Sequence, residues 1–279
     1  MSDTSAQPAP VTGIYLYCLA RPQCLGADRS LPGPQLPGVD ERYPVTALCD
    51  GDAVALISEV VIADFSEQNL QTLEWIGERA SRHEAVVAQT MKLSPVLPVK
   101  FGTLYHGRAS LKDFLQRYRP AIELGLTKLR GKSEWSVKGY LVEQEARNII
   151  AAEDSEVLSR RASLSPSPGL RYMQQKQLDA AIDAALERGL LRIGQDLQQA
   201  LSRVALESTA MRLHASAVTG RAERMVFNAS FLLTDEILAD FSAALSEQQD
   251  AYQVIGLTLE LRGPWPPYNF CPSLSEEAS

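Results

Sequence analysis

Residues 225–262 read MVFNASFLLTDEILADFSAALSEQQDAYQVIGLTLELR, and the spacing of their apolar side chains changes twice. Met225 to Leu233 is a β-prone run, Thr234 or Asp235 caps a helical pattern that continues to Glu247, and Tyr252 to Arg262 returns to alternation through Val254, Gly256, Thr258 and Glu260. A strand, a helix and a strand therefore follow one another. Toward the N-terminus, a turn at Thr219-Gly220 separates this unit from a further strand, Met211 to Val218. Before it lies the strongest helical pattern in the chain, with Leu178, Ile182, Ala185, Gly189, Ile193, Leu197, Ala200 and Val204 recurring at three or four residues. Gly189 on that stripe costs about 1 kcal/mol against Ala in a helix, so another element is expected to pack close to the backbone there. A strand from Glu134 to Val142, carrying Trp135, Val137 and Tyr140, opens the series. The order is β-α-β-β-α-β, which is ferredoxin-like: two split βαβ units place helices on one face of an antiparallel sheet. Glu143 to Ala152 reads as an additional helix. Residues 154–169, with Arg160-Arg161 and a Ser-Pro-Ser-Pro run, show no periodicity and read as a mobile loop.

The N-terminal half reads as a related, modified ferredoxin-like α+β domain. Ile14 to Leu19 is a short strand, followed by a loop rich in Pro and Gly from Arg21 to Gly38. Val45 to Cys49 and Ala53 to Val61 flank Asp50-Gly51-Asp52 and predict a β-hairpin. Ser66 is placed to cap a helix that runs through Leu70, Leu73, Gly77, Ala80, Glu84, Val87 and Met91 and stops before Pro95. Val96 to Tyr105, with Pro98 inside it, predicts an edge strand, and Ser110 to Leu129 a helix. The domain expectation is a disordered extension over 1–12, an α+β domain over 13–130, a ferredoxin-like domain over 131–263 and a Pro/aromatic tail over 264–279. The fold class is thus α+β with two domains.

Composition removes several functions. The 279 residues carry 27 basic and 34 acidic side chains, a net charge of −7, which repels polyanions; nucleic acid is not an expected partner. The apolar stretch from Ala53 to Phe65 is interrupted by Ser58, Glu59 and Asp64, so no membrane span is expected. The first 13 residues hold neither a basic residue nor an apolar core of the kind a secretory signal needs, and a cytoplasmic location follows. Cys18, Cys24, Cys49 and Cys271 form no CxxC pair and are expected reduced and mostly packed.

Chemistry-bearing patterns fail one by one. Between Gly125 and Gly131, five residues stand where a P-loop has four, and the stretch follows a helix and precedes a strand, the reverse of the required order. His83-Glu84 begins like a zinc-protease pair, but Val87 occupies the position of the second histidine. His106 and His214 lack neighbours at ligand spacing, and carboxylate pairs such as Glu143 with Glu145 and Glu276 with Glu277 suit solvated faces. No catalytic, cofactor-binding or metal-binding residue is assigned, and no cofactor is expected. The unusual segment is Gly263-Pro-Trp-Pro-Pro-Tyr-Asn-Phe270, in which prolines stiffen the chain and aromatics offer large apolar area at little entropic cost. Trp265, Pro266, Pro267, Tyr268 and Phe270 are its candidate docking residues, either across the chain's own domains or toward a partner.

Six stretches in order carry a resemblance: Tyr15-Leu-Tyr17; Leu73-Glu-Trp75 with Arg79-Ala80 and His83-Glu84; Val96-Leu-Pro-Val-Lys-Phe-Gly-Thr103; Gly131-Lys-Ser-Glu-Trp135; Asn228-Ala229 with Phe231-Leu232; and the Gly263–Phe270 segment. Together, from about Ile14 to Phe270, they resemble the gas vesicle protein F/L family. That resemblance implies two α+β domains with ferredoxin-like character and an accessory role in building gas vesicles, without catalysis. It also implies binding of the small hydrophobic shell protein during nucleation or growth, contact with other gas vesicle accessory proteins, and a location at the vesicle in the cytoplasm. A scaffold that joins accessory proteins without touching shell protein is the second reading.

Overall fold

The computed structural model describes residues 11–32 and 35–274. The described residues divide into two units, one running to Ser133 and resuming at Trp265, the other spanning Glu134–Pro264. Of the tail expected over 264–279, the described residues from Trp265 onward fall in the first unit, and Pro264 falls in the second. The expected N-terminal extension falls, up to residue 10, outside the described residues, and Thr12 already opens a strand.

In the first unit, β1 (Thr12–Ala20) is buried at every position after Thr12. It lies between β3 (Ala53–Val61) and β4 (Val96–Pro98), and β2 (Thr46–Asp50) edges the sheet, giving the order β2-β3-β1-β4. β5 (Leu104–Tyr105) also pairs with β1, so the strand expected over 96–105 is present but broken by the loop at 99–103. Pro98 sits where this edge strand can spare an N–H. α1 (Leu73–Met91) packs Val86 and Val87 against Tyr15, Tyr17, Val54 and Leu56. It starts later than the Ser66 reading implied. Ser66 does accept the Asn69 N–H through its hydroxyl, but 62–71 forms two short 3-10 turns and the helix begins at Leu73. The helix read over 110–129 is two helices, α2 (Arg108–Arg117) and α3 (Arg119–Lys128). Pro120 near the start of α3 has no N–H to give and excludes the carbonyl four residues earlier, which ends α2.

The second unit begins along β6 (Lys132–Leu141), continues through α4 (Glu143–Glu153), α5 (Ser155–Ala162) and α6 (Pro168–Ser202), and then β7 (Glu207–Ala210). A one-turn α7 (Ser216–Thr219) leads to β8 (Arg224–Thr234), α8 (Leu238–Tyr252) and β9 (Leu257–Trp265). Its sheet order is β7-β8-β6-β9, the same path as in the first unit. Leu186, Leu190, Ile193, Leu197 and Leu201 of α6 form the core with Val137, Phe227, Phe231 and Phe241. As the helix-propensity argument required, Gly189 meets a neighbour closely: a Cβ there would lie 2.9 Å from Ile150 Cδ1 of α4.

Two expectations in this unit are corrected. The segment 154–169 is largely helical: Asp154 accepts the backbone N–H groups of Glu156 and Val157 and so caps α5, while Val157 is fully buried against Ala151, Leu178, Ala181 and Ala185. One anchoring side chain among many polar ones leaves no periodic trace. The strand expected at Met211 to Val218 lies earlier. Ser208 to Ala210 pair with Phe231 to Ala229 of β8, and Met211, Leu213 and Val218 stay exposed.

Val157 anchors α5 by burial alone, so Val157→Asp places an unpaired charge there and is expected to destabilise the protein by ~3 kcal/mol or more. Limited proteolysis should then cut within 155–167, whereas Leu158→Asp, on the exposed side, should leave the cleavage pattern unchanged.

Candidate functional site

The Pro/aromatic segment docks within the first unit through a polar and aromatic cluster. Its Tyr268 meets His83 and Glu84, two neighbours on α1. The hydrogen bonds have one consistent direction. Tyr268 O–H donates to Glu84 Oε2 at 3.0 Å, so its oxygen accepts from His83 Nε2–H at 3.2 Å. That leaves Nδ1 as the acceptor of the Tyr15 O–H at 2.8 Å, and Tyr15 in turn accepts the Gly102 N–H at 3.1 Å. The His83 ring also stacks on Tyr17 and meets Tyr15 and Phe101 edge-on. Tyr17 is fixed separately by Ser58 Oγ and by the Val39 N–H, which it accepts.

Burial sets the charge state of this cluster. His83 is 3% exposed, and desolvation holds its pKa down at about 4, against a smaller upward pull from a hydrogen bond to the Val99 backbone. Burial pushes the Glu84 carboxyl up, opposed by the Tyr268 hydroxyl. The Tyr15 and Tyr268 phenols are raised by the same cause. At neutral pH the imidazole is uncharged and acts as a two-sided hydrogen-bonding strut.

The five candidate docking residues separate by role. Pro266, Pro267 and Phe270 are buried, and Tyr268 is half-buried in a 3-10 turn closed by Phe270 N–H to the Pro267 carbonyl. Just beyond, Pro272 packs on Gly125 of α3, where a Cβ would lie 2.9 Å from Pro272 Cγ. Trp265 alone is well exposed, at 46%. Gly263 adopts φ +155°, and a Cβ there would stand 2.8 Å from the Trp135 ring of β6, so both the backbone and the close approach call for glycine.

The other singled-out residues stay apart. His106 and His214 are exposed. Gly125 lies inside α3 and Gly131 in the turn before β6, so helix, turn and strand follow in the order that disfavours a phosphate loop. Cys18 and Cys24 are buried, Cys271 is half-buried and Cys49 is exposed; none of the four forms a disulfide among the described residues, and burial raises the Cys24 thiol to about 11. Among the described residues no group of three or more His, Cys, Asp or Glu is placed to hold a metal ion, and no helix is long and apolar enough to cross a membrane.

Sequence reading missed a second surface. In the second unit, α6 and β8 border an open groove of about 790 Å³ with a floor of Gly194, Met225 and Phe227 and walls of Leu191, Met211 and Leu213. Leu191 is 65% and Leu213 50% exposed. At its edge Glu187 and Arg224 neutralise one another with contacts of 2.6 and 2.9 Å. The signal in the sequence was the strand expected from Met211 onward, which meets β8 through the Met211 N–H bond to the Asn228 carbonyl and not through a continued ladder.

Comparison with known proteins gives a consistent result. The model of the family described as gas vesicle synthesis protein GvpL/GvpF matches residues 13–272. The chain is 27% identical over 241 residues to gas vesicle protein L of a Streptomyces species, covering 84% of this chain and 85% of the relative. It is 24% identical over 272 residues to gas vesicle protein L2 of Halobacterium salinarum, covering 94% and 92%. The crystal structure of gas vesicle protein GvpF from Anabaena superposes with a TM-score of 0.72 at 20% identity, over 94% of this chain and 99% of that one. The GvpF from Microcystis aeruginosa gives 0.64 at the same identity. At this identity the two structures speak for a shared α+β fold.

The His83 strut has a pH signature. Its pKa is lower folded than unfolded, so between pH 6.5 and about 4 the unfolded chain binds a proton that the folded chain refuses, and stability falls by up to ~3 kcal/mol as pH drops. Glu84, raised on folding, contributes the opposite slope within the carboxylate range. Urea midpoints measured across this window should flatten in His83→Gln relative to the unaltered protein; parallel profiles would contradict the buried neutral imidazole.

Proposed function

The chain belongs to the GvpL/GvpF family of gas vesicle synthesis proteins, and from that membership we propose that it is a non-enzymatic assembly factor for gas vesicles. It binds the small hydrophobic shell protein during nucleation or growth and stays with the vesicle as a minor component. The groove between α6 and β8 is the observation that carries this reading, because Leu191, Met211 and Leu213 stand exposed along it. Contiguous apolar surface of this kind marks an interaction site. A shell subunit made to face gas has apolar surface that aggregates in water, and a soluble, acidic partner covers it until assembly. Affinity then comes from apolar anchors, with the two methionines adapting to the partner's shape. Trp265, the exposed member of the Pro/aromatic segment, is a second anchor. The shared strand path of the two sheets supports reading both as ferredoxin-like, the first with its first crossover helix replaced by the loop between β1 and β2.

The test is co-purification of the shell subunit with the full-length protein under conditions that preserve assembly. Leu191→Asp with Leu213→Asp is expected to lower recovery at least about tenfold, equivalent to ~1.4 kcal/mol, with an unchanged circular dichroism spectrum. Recovery of accessory proteins without shell subunit would replace this role with that of an adaptor. Trp265→Ala is expected to shift folding stability by no more than ~1 kcal/mol, since the ring is half in solvent, while reducing vesicle yield in a complemented deletion strain.

A further inference from the structure

Charge in this acidic chain is unevenly placed. Between residues 100 and 132 stand eight basic residues and only two acidic ones, in a protein of net charge −7. They fall on the loop before β5, on α2 and α3, on the turn after α3 and on the start of β6. Lys100, Arg108, Lys112, Arg117, Arg119, Lys128 and Arg130 are all exposed. Arg119 is paired with Asp50 at 2.9 Å. Arg108 and Lys112 lie one helical turn apart, a repulsive spacing, and neither has an ion-pair partner among the described residues.

Beside these charges the surface is concave and aromatic. Tyr105, Phe114 and Tyr118 form a ladder with ring centroids 5.4 and 5.0 Å apart, each ring half-buried. Two adjoining concavities, about 460 and 520 Å³, share Tyr105, Phe114 and Leu274; Lys100 borders the first, and Arg117 together with Asp113 the second. Tyrosine and arginine around a hollow are the composition of binding hot spots.

We propose that this basic, tyrosine-rimmed face along α2 docks an acidic peptide segment of a partner protein, one that places an aromatic or apolar side chain in the hollow between Tyr105 and Tyr118. The surface lies in the first unit and is separate from the groove assigned to the shell subunit. An extended nucleic acid fits it less well, because the rest of the chain repels a polyanion over a long range and the ladder rings engage one another rather than offering free faces for stacking. A short acidic segment meets only the local positive field.

The probe is a fluorescein-labelled peptide, EEDFEELE, titrated into the full-length protein at 50 mM NaCl, with QQNFQQLQ as the neutral control. Saturable binding is expected, at least about tenfold tighter than the control and at least about tenfold weaker at 500 mM NaCl. Lys112→Glu with Arg117→Glu should weaken it about tenfold or more, and replacing the peptide's Phe by Ala should weaken it several-fold, which simple ion exchange would not. Lys100→Glu, at the other hollow, provides an independent variant should the double variant not fold. Equal binding of the neutral peptide, absence of saturation, or indifference to charge reversal in a folded variant overturns the proposal. So does a single-stranded RNA 20-mer, or a phosphatidylserine vesicle, that binds more tightly than the peptide and responds to the same substitutions.

Discussion

A buried imidazole must have both nitrogens satisfied or its burial works against folding, and His83 meets that condition by joining three parts of the chain that are distant in sequence. Tyr15 from the central strand supplies the proton on one side, and Tyr268 from the returning segment takes one on the other. The aromatic rings around it, Tyr17 and Phe101 among them, exclude water and so enforce the neutral state. Every direction in the chain from Gly102 to Glu84 is set once the last hydroxyl is committed to the carboxylate. The cluster is therefore a fastening: its hydrogen bonds tie the returning segment to α1 and to the central strand.

The two sheets follow one strand path but differ in what fills the first crossover. Between β1 and β2 the described residues hold only the short 3-10 turn Pro22–Cys24, whereas between β6 and β7 stand α4, α5 and the 35-residue α6. α6 is longer than its sheet needs. Its C-terminal half supplies Leu190, Ile193, Leu197 and Leu201 to the core, and the adjoining Leu191 and Gly194 face the groove instead. The same helix thus stabilises the unit and creates its open apolar surface.

The architecture was legible in the sequence wherever burial is periodic. The α6 stripe, the β2–β3 hairpin and the strand-helix-strand run from β8 to β9 all announce themselves through spacing, and the Gly189 contact followed from a propensity cost that needed a cause. Legibility failed where one contact outweighs pattern. Val157 and the Asp154 cap hold 155–162 helical, Pro120 divides one apparent helix into two, and the pairing of Glu207 to Ala210 with β8 leaves the more strand-like Met211 and Leu213 beyond the ladder. The six stretches behind the family resemblance say little about why those residues are there until they are seen in space. The first, second, third and sixth meet around His83, Trp135 of the fourth lies under Gly263, and Asn228 of the fifth borders the groove. The groove itself was invisible because sequence patterns report what a chain buries, not what it leaves uncovered.

The return of the chain from β9 to the first unit imposes an order of events on synthesis. Ser133 leaves the ribosome about 130 residues before Trp265, which at ~5–20 residues per second is on the order of ten seconds. Throughout that interval the first unit lacks Tyr268, Phe270 and Pro272, so the surfaces of α1 and α3 that they cover stand open while the second unit is still being made. The domain begun first is the one completed last, and its closure certifies that translation has run through to the final strand.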